Sequence, residues 1–392
     1  MTTLLILLND RVSDWVAKGE ITDRYFNPDD VFDEVHLLLL NDDRPDHDAV
    51  RRMAGSARTE VHNLPVSWWL FVLTLGWTPA LLRPWTRRAL RIARAVHPDV
   101  VRCHGVRVDL LTAVRIGAAT GVPVVVSIHS NPDTDQLRGR RAGSWMRRLV
   151  GWRARHAERY GLRRASLVLP VYEPIVPYLR SLGVTRWEVA YNTVGATVPR
   201  KSWAGRGELL RAVNIGRQES GEKDPTPIIE ALVGLDDVHL TLVGDGPLHH
   251  ALIELIGVLG LDHRVAVHRS VPNEAVLELL RTADVFVYCS DVFEVSKATI
   301  EAALSGLPIV ANDRDGDPAP ELLGEHVLLV DGSATSFRHA LGRLLDESER
   351  EAFGRAALAF AAERWDPSRL ELAAAERYRK LVHRQADAAS SS

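Results

Sequence analysis

The stretch from Arg211 to Gly244, RAVNIGRQESGEKDPTPIIEALVGLDDVHLTLVG, decides the fold prediction. Two short apolar runs, RAVNIG and HLTLVG, flank a polar loop and a helical pattern, which is the order of a β-α-β unit. Runs that are apolar throughout, and not only on alternate residues, are typical of parallel strands covered on both faces. The stretch therefore predicts part of a doubly wound α/β sheet.

Similar runs recur along nearly the whole chain and form two sets. The first set is TLLILL, EVHLLLL, DVVRCH, PVVVSIH and SLVLPV, and the second continues after HLTLVG with VAVHRS, VFVYCS and LPIVAN. A length of 392 residues suits two such domains, each with its own core. We expect a first domain over residues 1–197 and a second over 198–365, because GATVPRKSWAGRGE interrupts the periodicity between them.

The two ends of the chain have different patterns. Residues 1–8 lack the basic start of a signal peptide and are interpreted as a buried first strand. After Trp365, RLELAAAERYRKLVHR predicts a last helix over 366–384 that crosses back onto the first domain. The small, polar residues 385–392 are expected to be a disordered tail.

Composition excludes several classes of protein. With 46% hydrophobic residues and a formal net charge of −3, the chain is not collagen-like, disordered or a multispan membrane protein. The near-neutral balance argues against nucleic acid as a partner, because phosphate binding usually requires a basic excess. Cys103 and Cys289 alone provide neither a disulfide framework nor a CxxC zinc cluster, so the expected compartment is the cytoplasm.

The loop after RAVNIG is the first candidate site. Gly216 and Arg217 end the predicted strand, and Lys223 stands at the head of the helical pattern. An arginine fork, a lysine and the unpaired N–H groups of a helix start together suit a diphosphate. The alternative is that both cations are solvated loop charges.

The turn after HLTLVG is the second candidate. Gly244 and Gly246 in VGDGP would allow the backbone to approach other backbone or a ligand closely, although the turn could equally serve the fold alone. It is not a G-x-G-x-x-G fingerprint, which weakens a prediction of NAD binding.

The third candidate lies in CSDVFEVSKATIEAALSGLPIVAND, which starts at Cys289. Glu301 sits in the helical part beside Ile300 and Ala302, seven residues after Glu294. An acidic residue in a strand-end crevice suits the paired hydroxyls of a ribose, as in dinucleotide-binding folds. The alternative is an exposed helical glutamate.

Taken in order, these three segments resemble the second domain of the GT-B glycosyltransferases of family 4, a retaining group. That family has strand-GR-x-EK, a strand-VGDGP turn, and a loop-helix ending in EA-x-x-x-G-x-P-(I/V)-V. DVVRCHG, PVVVSIHS and VAYNTVG also resemble its landmarks, so the resemblance covers nearly the whole chain. It implies two Rossmann-like domains facing a central cleft, and transfer of a sugar from a nucleotide diphosphate-sugar, UDP-sugar first, to an acceptor hydroxyl.

The resemblance also implies a role for individual residues. Arg217 and Lys223 would hold the diphosphate, Glu301 the ribose, and backbone from His268 to Val271 the base. His129 would meet the donor sugar beside the reacting carbon, although a satisfied histidine at a strand end is the alternative. The complete implied donor site is Gly19, Asn192, Gly216, Arg217, Lys223, Gly244, Val271, Glu294, Ser296, Lys297, Ala298 and Glu301, with His129, Arg217 and Lys223 as its catalytic members.

Two departures from the family pattern concern this site. The usual Glu-x7-Glu pair would place its first member at position 293, which is Phe293, while Glu294 lies one residue later. Either Glu294 reaches the sugar through a reshaped loop, or recognition of the sugar differs. Gly19 is also single where relatives often carry two or more glycines.

No metal or cofactor is expected. The D-x-D spelling occurs four times, at residues 46–48, 133–135, 313–315 and 315–317, but none follows a strand in the manner of a dedicated Mg²⁺ site. The nucleotide-sugar is a co-substrate. The acceptor could be a glycan, a lipid-linked molecule or a small natural product.

Two segments of the first domain, residues 64–82 and 136–164, are rich in tryptophan and arginine. Pro65, Gly76 and Pro79 argue against a membrane-spanning helix. Arginine with tryptophan suits the surface of an anionic bilayer, at the inner face of the membrane. The alternative is a solvated basic helix that packs its tryptophans inward.

Two other functions remain open at this stage. A GT-B-like nucleotide-sugar epimerase would use the same diphosphate site and need no acceptor. A non-catalytic nucleotide-sugar-binding protein is suggested by Phe293 in place of the usual glutamate.

Overall fold

Two six-stranded sheets, each entirely parallel, organise the chain. The computed structural model describes residues 1–18, 21–74, 78–132, 145–195, 198, 209–292, 294–313 and 319–390. The chain divides into one unit of Met1–Thr193 with Ser368–Ser392 and a second unit of Val194–Pro367. The first division lies four residues before the predicted boundary at 197.

The first unit has the sheet order β3-β2-β1-β4-β5-β6. Its strands are β1 (Thr3–Leu8), β2 (Glu34–Leu39), β3 (Arg58–Asn63), β4 (Val100–His104), β5 (Val124–Ile128) and β6 (Leu167–Pro170). Its helices begin with α1 (Val12–Ala17), α2 (His47–Ala54), α3 (Trp68–Leu73), α4 (Arg83–Val96), α5 (Val108–Thr120), α6 (Trp145–Leu162) and α7 (Val176–Ser181), with short 3-10 turns at Pro28–Asp30 and Glu173–Ile175.

The second unit has the sheet order β12-β11-β10-β7-β8-β9. Its strands are β7 (Leu210–Ile215), β8 (Val238–Val243), β9 (Val265–His268), β10 (Val285–Tyr288), β11 (Ile309–Asn312) and β12 (Val327–Val330). Its helices are α8 (Thr226–Ala231), α9 (His249–Val258), α10 (Asn273–Thr282), α11 (Lys297–Ser305), α12 (Ala334–Arg343) and α13 (Glu347–Arg364), with a 3-10 turn at Pro320–Leu322.

Burial on both faces explains the strands that the sequence predicts. All six residues of β1 are buried, with Leu5 and Leu7 in the core on one face and Leu4 and Ile6 in the core on the other. Alternate side chains of a strand point to opposite faces, so a strand covered twice is apolar throughout. The α/β fold class and each predicted strand are confirmed.

Two strands, β3 and β12, were not predicted, and both lie at sheet edges. The β3 sequence RTEVHN is mostly polar, and none of its residues is buried. An edge strand has a neighbour on one side only and needs no apolar pattern, so periodicity does not reveal β3. The β12 sequence VLLV is apolar throughout, so its edge position does not explain why it was not predicted.

Both sheets have the doubly wound order in which the first strand lies between the second and the fourth. Successive connections therefore diverge on either side of β1 and β4 in the first unit, and of β7 and β10 in the second. Loops that leave adjacent strands in opposite directions open a crevice at the carboxyl ends of those strands. Each unit thus has one such position for a ligand.

The last helix, α14 (Pro367–Ser390), packs on the first unit. Arg24 Nε lies 2.9 Å from Glu371 Oε1, and Arg377 Nη2 lies 2.6 Å from Glu188 Oε1. Tyr378 is buried in the core with its ring 5.3 Å from that of Phe32. The helix continues past the predicted end at 384, because QADAAS contains no glycine or proline to stop it.

Candidate active site at the carboxyl ends of the strands

The loop after β7 folds back on itself in the second unit. The Glu219 amide donates to the Lys223 carbonyl at 3.0 Å, and the Lys223 amide donates to the Glu219 carbonyl at 2.9 Å. Gly221, at φ +68°, makes the turn between them. This brings Lys223 back beside the end of β7. The prediction of a helix that begins at Lys223 is wrong, because α8 begins at Thr226, after Pro225.

The turn after β8 supports that loop. A Cβ atom on Gly244, which has φ +153°, would lie 1.8 Å from the Gly216 carbonyl oxygen, and one on Gly246 would lie 2.1 Å from the Gln218 carbonyl oxygen. No larger residue fits at either position. The backbone-to-backbone alternative of the sequence analysis is therefore the one the structure shows, and Gly244 acts on the pocket by holding Gly216.

A pocket opens at the carboxyl ends of β7 and β10, where the sheet order diverges. Its lining includes five predicted donor-site residues, which are Gly216, Arg217, Lys223, Glu294 and Ser296. Residues separated by up to 80 positions in sequence thus meet in one concave site. Gly244, Val271 and Glu301 do not line it.

Each of the two predicted cations has a carboxylate partner. Arg217 Nε lies 2.6 Å from Glu219 Oε2, and the Arg217 side chain is 65% exposed. Lys223 Nζ forms an ion pair with Glu294. The Arg217–Glu219 pair is largely exposed on the arginine side and contributes little net free energy, so an anion with more than one charge can displace its carboxylate. The Lys223 and Glu294 side chains are only 28% and 23% exposed. Glu294, the displaced member of the family's acidic pair, therefore contacts the lysine of the pocket.

Helix α11 brings its first turn to the same pocket. Ser296 is its N-cap, and its Oγ accepts a hydrogen bond from the Thr299 amide at 3.1 Å. The amides of Lys297 and Ala298 belong to the first turn, where N–H groups point along the helix axis and attract anions. The cap aims this helix start at the strand ends.

Glu301 lies one turn further into α11 and is only 2% exposed. The alternative of an exposed helical glutamate is therefore wrong. A buried carboxylate is costly unless polar groups or cations compensate it, which makes this position unusual for a purely structural helix. Val271, in the loop after β9, is half-buried, and the His268 carbonyl accepts from the Gly244 amide at 3.0 Å.

Sequence reasoning missed three residues that position the strand ends. Asn214 Nδ2 donates to the Val287 carbonyl at 2.8 Å and joins β7 to β10. The Ser290 amide donates to Asn312 Oδ1 at 2.7 Å, and Asn312 Nδ2 donates back to the Ser290 carbonyl at 3.1 Å. Their signal was an asparagine near the end of an otherwise apolar run, in RAVNIG and in LPIVAN.

His129 follows β5 in the first unit and stacks on His104 at the end of β4. The ring centroids are 5.3 Å apart and the planes differ by 11°. Neither Nε2 atom has a hydrogen-bond partner within the described ranges. Asn192, another predicted site residue, forms a side-chain hydrogen bond to His129.

Burial and a nearby cation keep both imidazoles neutral. Burial and then the Arg102 guanidinium lower the pKa of His129 to about 4, although the hydrogen bond with Asn192, which favours the protonated ring, opposes them. Burial, Arg102 and His129 together hold the pKa of His104 well below its ordinary value. His129 is therefore a neutral hydrogen-bonding group at pH 7.

Sequence reasoning also missed the neighbours of this pair. The rings of Trp15, Tyr25 and Phe26 lie 5.9 to 6.2 Å from that of His104. Arg102 reaches Ser127 Oγ through Nη2 at 3.2 Å. A lone arginine within the apolar run DVVRCH was the available signal.

Several predicted features fall outside the described residues. They include Gly19, Phe293, the D-x-D spelling at 133–135, and most of the predicted interdomain segment. The first D-x-D spelling is a helix cap, since Asp46 Oδ2 accepts from the Ala49 amide at 3.0 Å in α2.

The tryptophan- and arginine-rich segments present aromatic rings to solvent. Trp69 is 67% exposed on α3, and Trp152 is 56% exposed on α6. The alternative in which the tryptophans pack inward is therefore wrong for these two. Within the described ranges, no helix has both the length and the apolar character needed to cross a bilayer.

Two doubly wound parallel sheets, with an anion-suited pocket at the switch point of the second, define a Rossmann-like α/β protein of the nucleotide-binding type. Residues 211–347 match the model of glycosyl transferases group 1, and residues 31–195 match that of the glycosyl transferase 4-like domain. The chain belongs to the GT-B glycosyltransferases of family 4 and is an enzyme of that class.

Curated relatives are transferases. The chain is 26% identical to an alpha-D-kanosaminyltransferase of Streptomyces kanamyceticus, over 71% of this chain and 76% of the relative. It is 29% identical to a GDP-mannose-dependent alpha-(1-6)-phosphatidylinositol monomannoside mannosyltransferase of Mycolicibacterium smegmatis, over 54% of this chain and 47% of the relative. These names support a transferase over the epimerase and binding-protein alternatives.

Solved structures share the fold over almost the whole chain. HepE of Anabaena in complex with UDP superposes with a TM-score of 0.71 at 17% identity, covering 97% of this chain and 100% of HepE. TarM superposes with a TM-score of 0.70 at 11% identity, covering 97% of this chain and 99% of TarM. The predicted GT-B fold is confirmed.

His129→Gln should make the stability of the protein less dependent on pH. The pKa of His129 is about 4 in the folded protein and about 6.5 when unfolded, so unfolding takes up a proton between these values. The stability due to the neutral ring is complete above pH 6.5 and is lost as the pH falls towards 4. Between pH 7 and pH 5 this should cost the wild type about 2 kcal/mol, and the variant should be spared most of it.

Urea unfolding at pH 7 and pH 5 measures the difference. His47→Gln, which removes an exposed imidazole of the same unit, is the matched control and should behave as the wild type. An unchanged pH dependence in His129→Gln would show that the buried ring does not carry this effect.

Proposed function

We propose that the protein transfers a sugar from a UDP-sugar to an acceptor hydroxyl with retention of configuration and without a bound metal. The observation that carries this proposal is the pocket at the switch point of the second sheet, where Arg217, Lys223 and the start of α11 converge. Membership of the glycosyltransferase family supplies the reaction class.

The donor diphosphate replaces the carboxylates that now pair with the cations. Its charges displace Glu219 from Arg217 and Glu294 from Lys223, and its oxygens face the amides at the start of α11. The ribose hydroxyls bind the buried carboxylate of Glu301. The base lies against the backbone from His268 to Val271.

The choice of UDP is supported by HepE, whose structure holds UDP. The mannosyltransferase relative is named for GDP-mannose, so donor preference differs among similar proteins. A panel of nucleotide-sugars therefore belongs in every binding measurement. The acceptor stays undefined as a glycan, a lipid-linked molecule or a small natural product.

In the transfer, the bond between the anomeric carbon and the diphosphate oxygen breaks, and the acceptor oxygen forms the new bond on the same face. The acceptor proton passes to the departing diphosphate oxygen, so no protein nucleophile is needed. Arg217, Lys223 and the helix start stabilise the negative charge that develops on the diphosphate. His129, held neutral and oriented by Asn192, binds the donor sugar through its ring N–H or lone pair.

The donor set of the pocket supports metal independence. Among the described residues that line the pocket, Glu294 is the only carboxylate, and it is paired with Lys223. Mg²⁺ in substrate-phosphate sites usually needs one or two carboxylates together with the phosphates. The two cations therefore neutralise the diphosphate in place of a metal.

Arg217→Ala and Lys223→Ala should each lower kcat by roughly 10² or more, because each removes a group that stabilises charge developing at the leaving group. The measurement is release of UDP in the presence of EDTA, so sustained wild-type turnover also tests metal independence. Arg281→Ala removes an arginine from the exposed Arg281–Glu278 pair in the same unit and serves as the control. Activity within about threefold of wild type in both pocket variants would refute the assignment.

Glu301→Ala should weaken bare UDP and UDP-sugar alike, since its partner is the ribose. Glu294→Ala should not weaken bare UDP, because it removes the carboxylate that the diphosphate must displace from Lys223, while it should lower turnover and discrimination among donor sugars. Calorimetric titration of UDP and a donor panel into both variants separates the two roles. Equal loss of UDP affinity in both would show that Glu294 acts on the nucleotide.

We also propose that the first unit contacts the anionic inner face of the membrane. On α6, one helix face carries Trp152, His156, Arg159 and Tyr160, all exposed, while Ala157 and Glu158 are buried, and exposed Arg163 follows the helix directly. Aromatic rings beside arginines suit the interface of an anionic bilayer.

Sedimentation with vesicles tests this contact. The protein should pellet with anionic vesicles more than with neutral ones, and less as salt rises. Trp152→Ala and Trp69→Ala should reduce pelleting, whereas Leu372→Ala, which removes an exposed apolar side chain of α14, should not. Equal recovery in the supernatant with both kinds of vesicle would contradict the proposal.

A further inference from the structure

Two histidines and a glutamate meet on the outer strand pair of the first sheet, in the unit that does not hold the diphosphate pocket. Strands β2 and β3 are parallel, and their register pairs His36 with Glu60 and Leu38 with His62. Because alternate residues share a face, these four side chains lie on one side of the sheet. β3 is the edge strand, so Glu60 remains exposed while His36 is buried.

The ligating atoms of the three side chains converge. His36 Nδ1 lies 3.1 Å from His62 Nε2, and Glu60 Oε2 lies 3.6 Å from His36 Nδ1. One nitrogen or oxygen from each residue falls within 4.8 Å of the other two. Two imidazole nitrogens on one tetrahedral Zn²⁺, each about 2.0–2.1 Å from the metal, lie roughly 3.3 Å apart. The observed separation of the nitrogens is close to that distance.

Proton placement on the two rings also favours a cation between them. In a neutral pair, only one of the two facing nitrogens carries a hydrogen. If His36 donates, its other nitrogen turns a lone pair to Glu34, whose Oε2 lies 3.6 Å away. If His62 donates instead, its Nδ1 lone pair faces Glu60 Oε1 at 3.8 Å. In either arrangement a ring lone pair faces a carboxylate oxygen, and two acceptors in that position repel each other.

A cation between the rings removes this conflict. It accepts both facing lone pairs at once and leaves an N–H on each ring to point at a carboxylate. Histidine ligands commonly donate their other N–H to a carboxylate in this way, which orients the ring and strengthens its binding. Glu34 occupies that position for His36.

We propose that His36, Glu60 and His62 bind a divalent transition metal, with Zn²⁺ as the best match, and that water completes its coordination. Two imidazoles and one carboxylate form a donor set that zinc prefers over magnesium or calcium, which take oxygen ligands. The exposed side of Glu60 leaves an entry path from solvent. Such a metal would tie the edge strand β3 to β2 and would take no part in sugar transfer.

Titration of Zn²⁺ into the untagged, metal-free full-length protein tests the site. Calorimetry should show one equivalent bound, and Zn²⁺ should raise the thermal unfolding temperature. His62→Gln should weaken binding by 100-fold or more, and Glu60→Gln by 10-fold or more. The matched control is His47→Gln, which removes an exposed histidine beside Asp48 and should bind as the wild type does.

Circular dichroism and thermal unfolding without metal establish that the variants fold, and both changed residues lie on the edge strand, where Glu60 is exposed. Loss of Zn²⁺ binding in folded His62→Gln, with binding retained in His47→Gln, supports the site. Wild-type affinity in folded His62→Gln would place the metal elsewhere and overturn the proposal. A wild type that binds no Zn²⁺ would overturn the proposal too, and a proton shared between the two rings would then explain their close approach. Sugar transfer is measured separately in EDTA, so a failure of the zinc site and a failure of the proposed reaction can be told apart.

Discussion

All strands of each sheet run in the same direction, and this constraint governs everything built on them. Every loop that follows a strand must leave from the same edge of its sheet, so side chains distant in sequence collect there. The divergence of connections beside β7 and β10 then opens space for a ligand. In the first unit the same edge carries His104 and His129.

Close backbone contact fixes the loops at the carboxyl edge of the second sheet. The Gly216 carbonyl and Gly244 approach so closely that no side chain fits between them. The loop that carries Arg217 and Lys223 is therefore held by its neighbour, and the two cations are positioned before any ligand arrives. Their carboxylate partners, Glu219 and Glu294, balance the charges of Arg217 and Lys223.

Local pattern predicted the buried parts of the fold and the residue types of the site. The predicted strands were found because burial on both faces leaves a continuous apolar run, whereas the mostly polar edge strand β3 left no such mark. The sequence left two alternatives open for Glu301, and its burial in α11 excludes the exposed helical glutamate. The start of α8 was misplaced by three residues, since Pro225 and the paired backbone of Glu219 and Lys223 delay the helix.

The sequence by itself determined the α/β class, the number of sheets and the residue types of the candidate site, because these depend on periodicity and on short motifs. Only the tertiary structure decided which partner each group has. Lys223 meets Glu294, and His36 meets His62, because strand order and register bring together residues that lie far apart in the chain. Periodicity carries no information about such pairings, since they arise from the path of the backbone between elements.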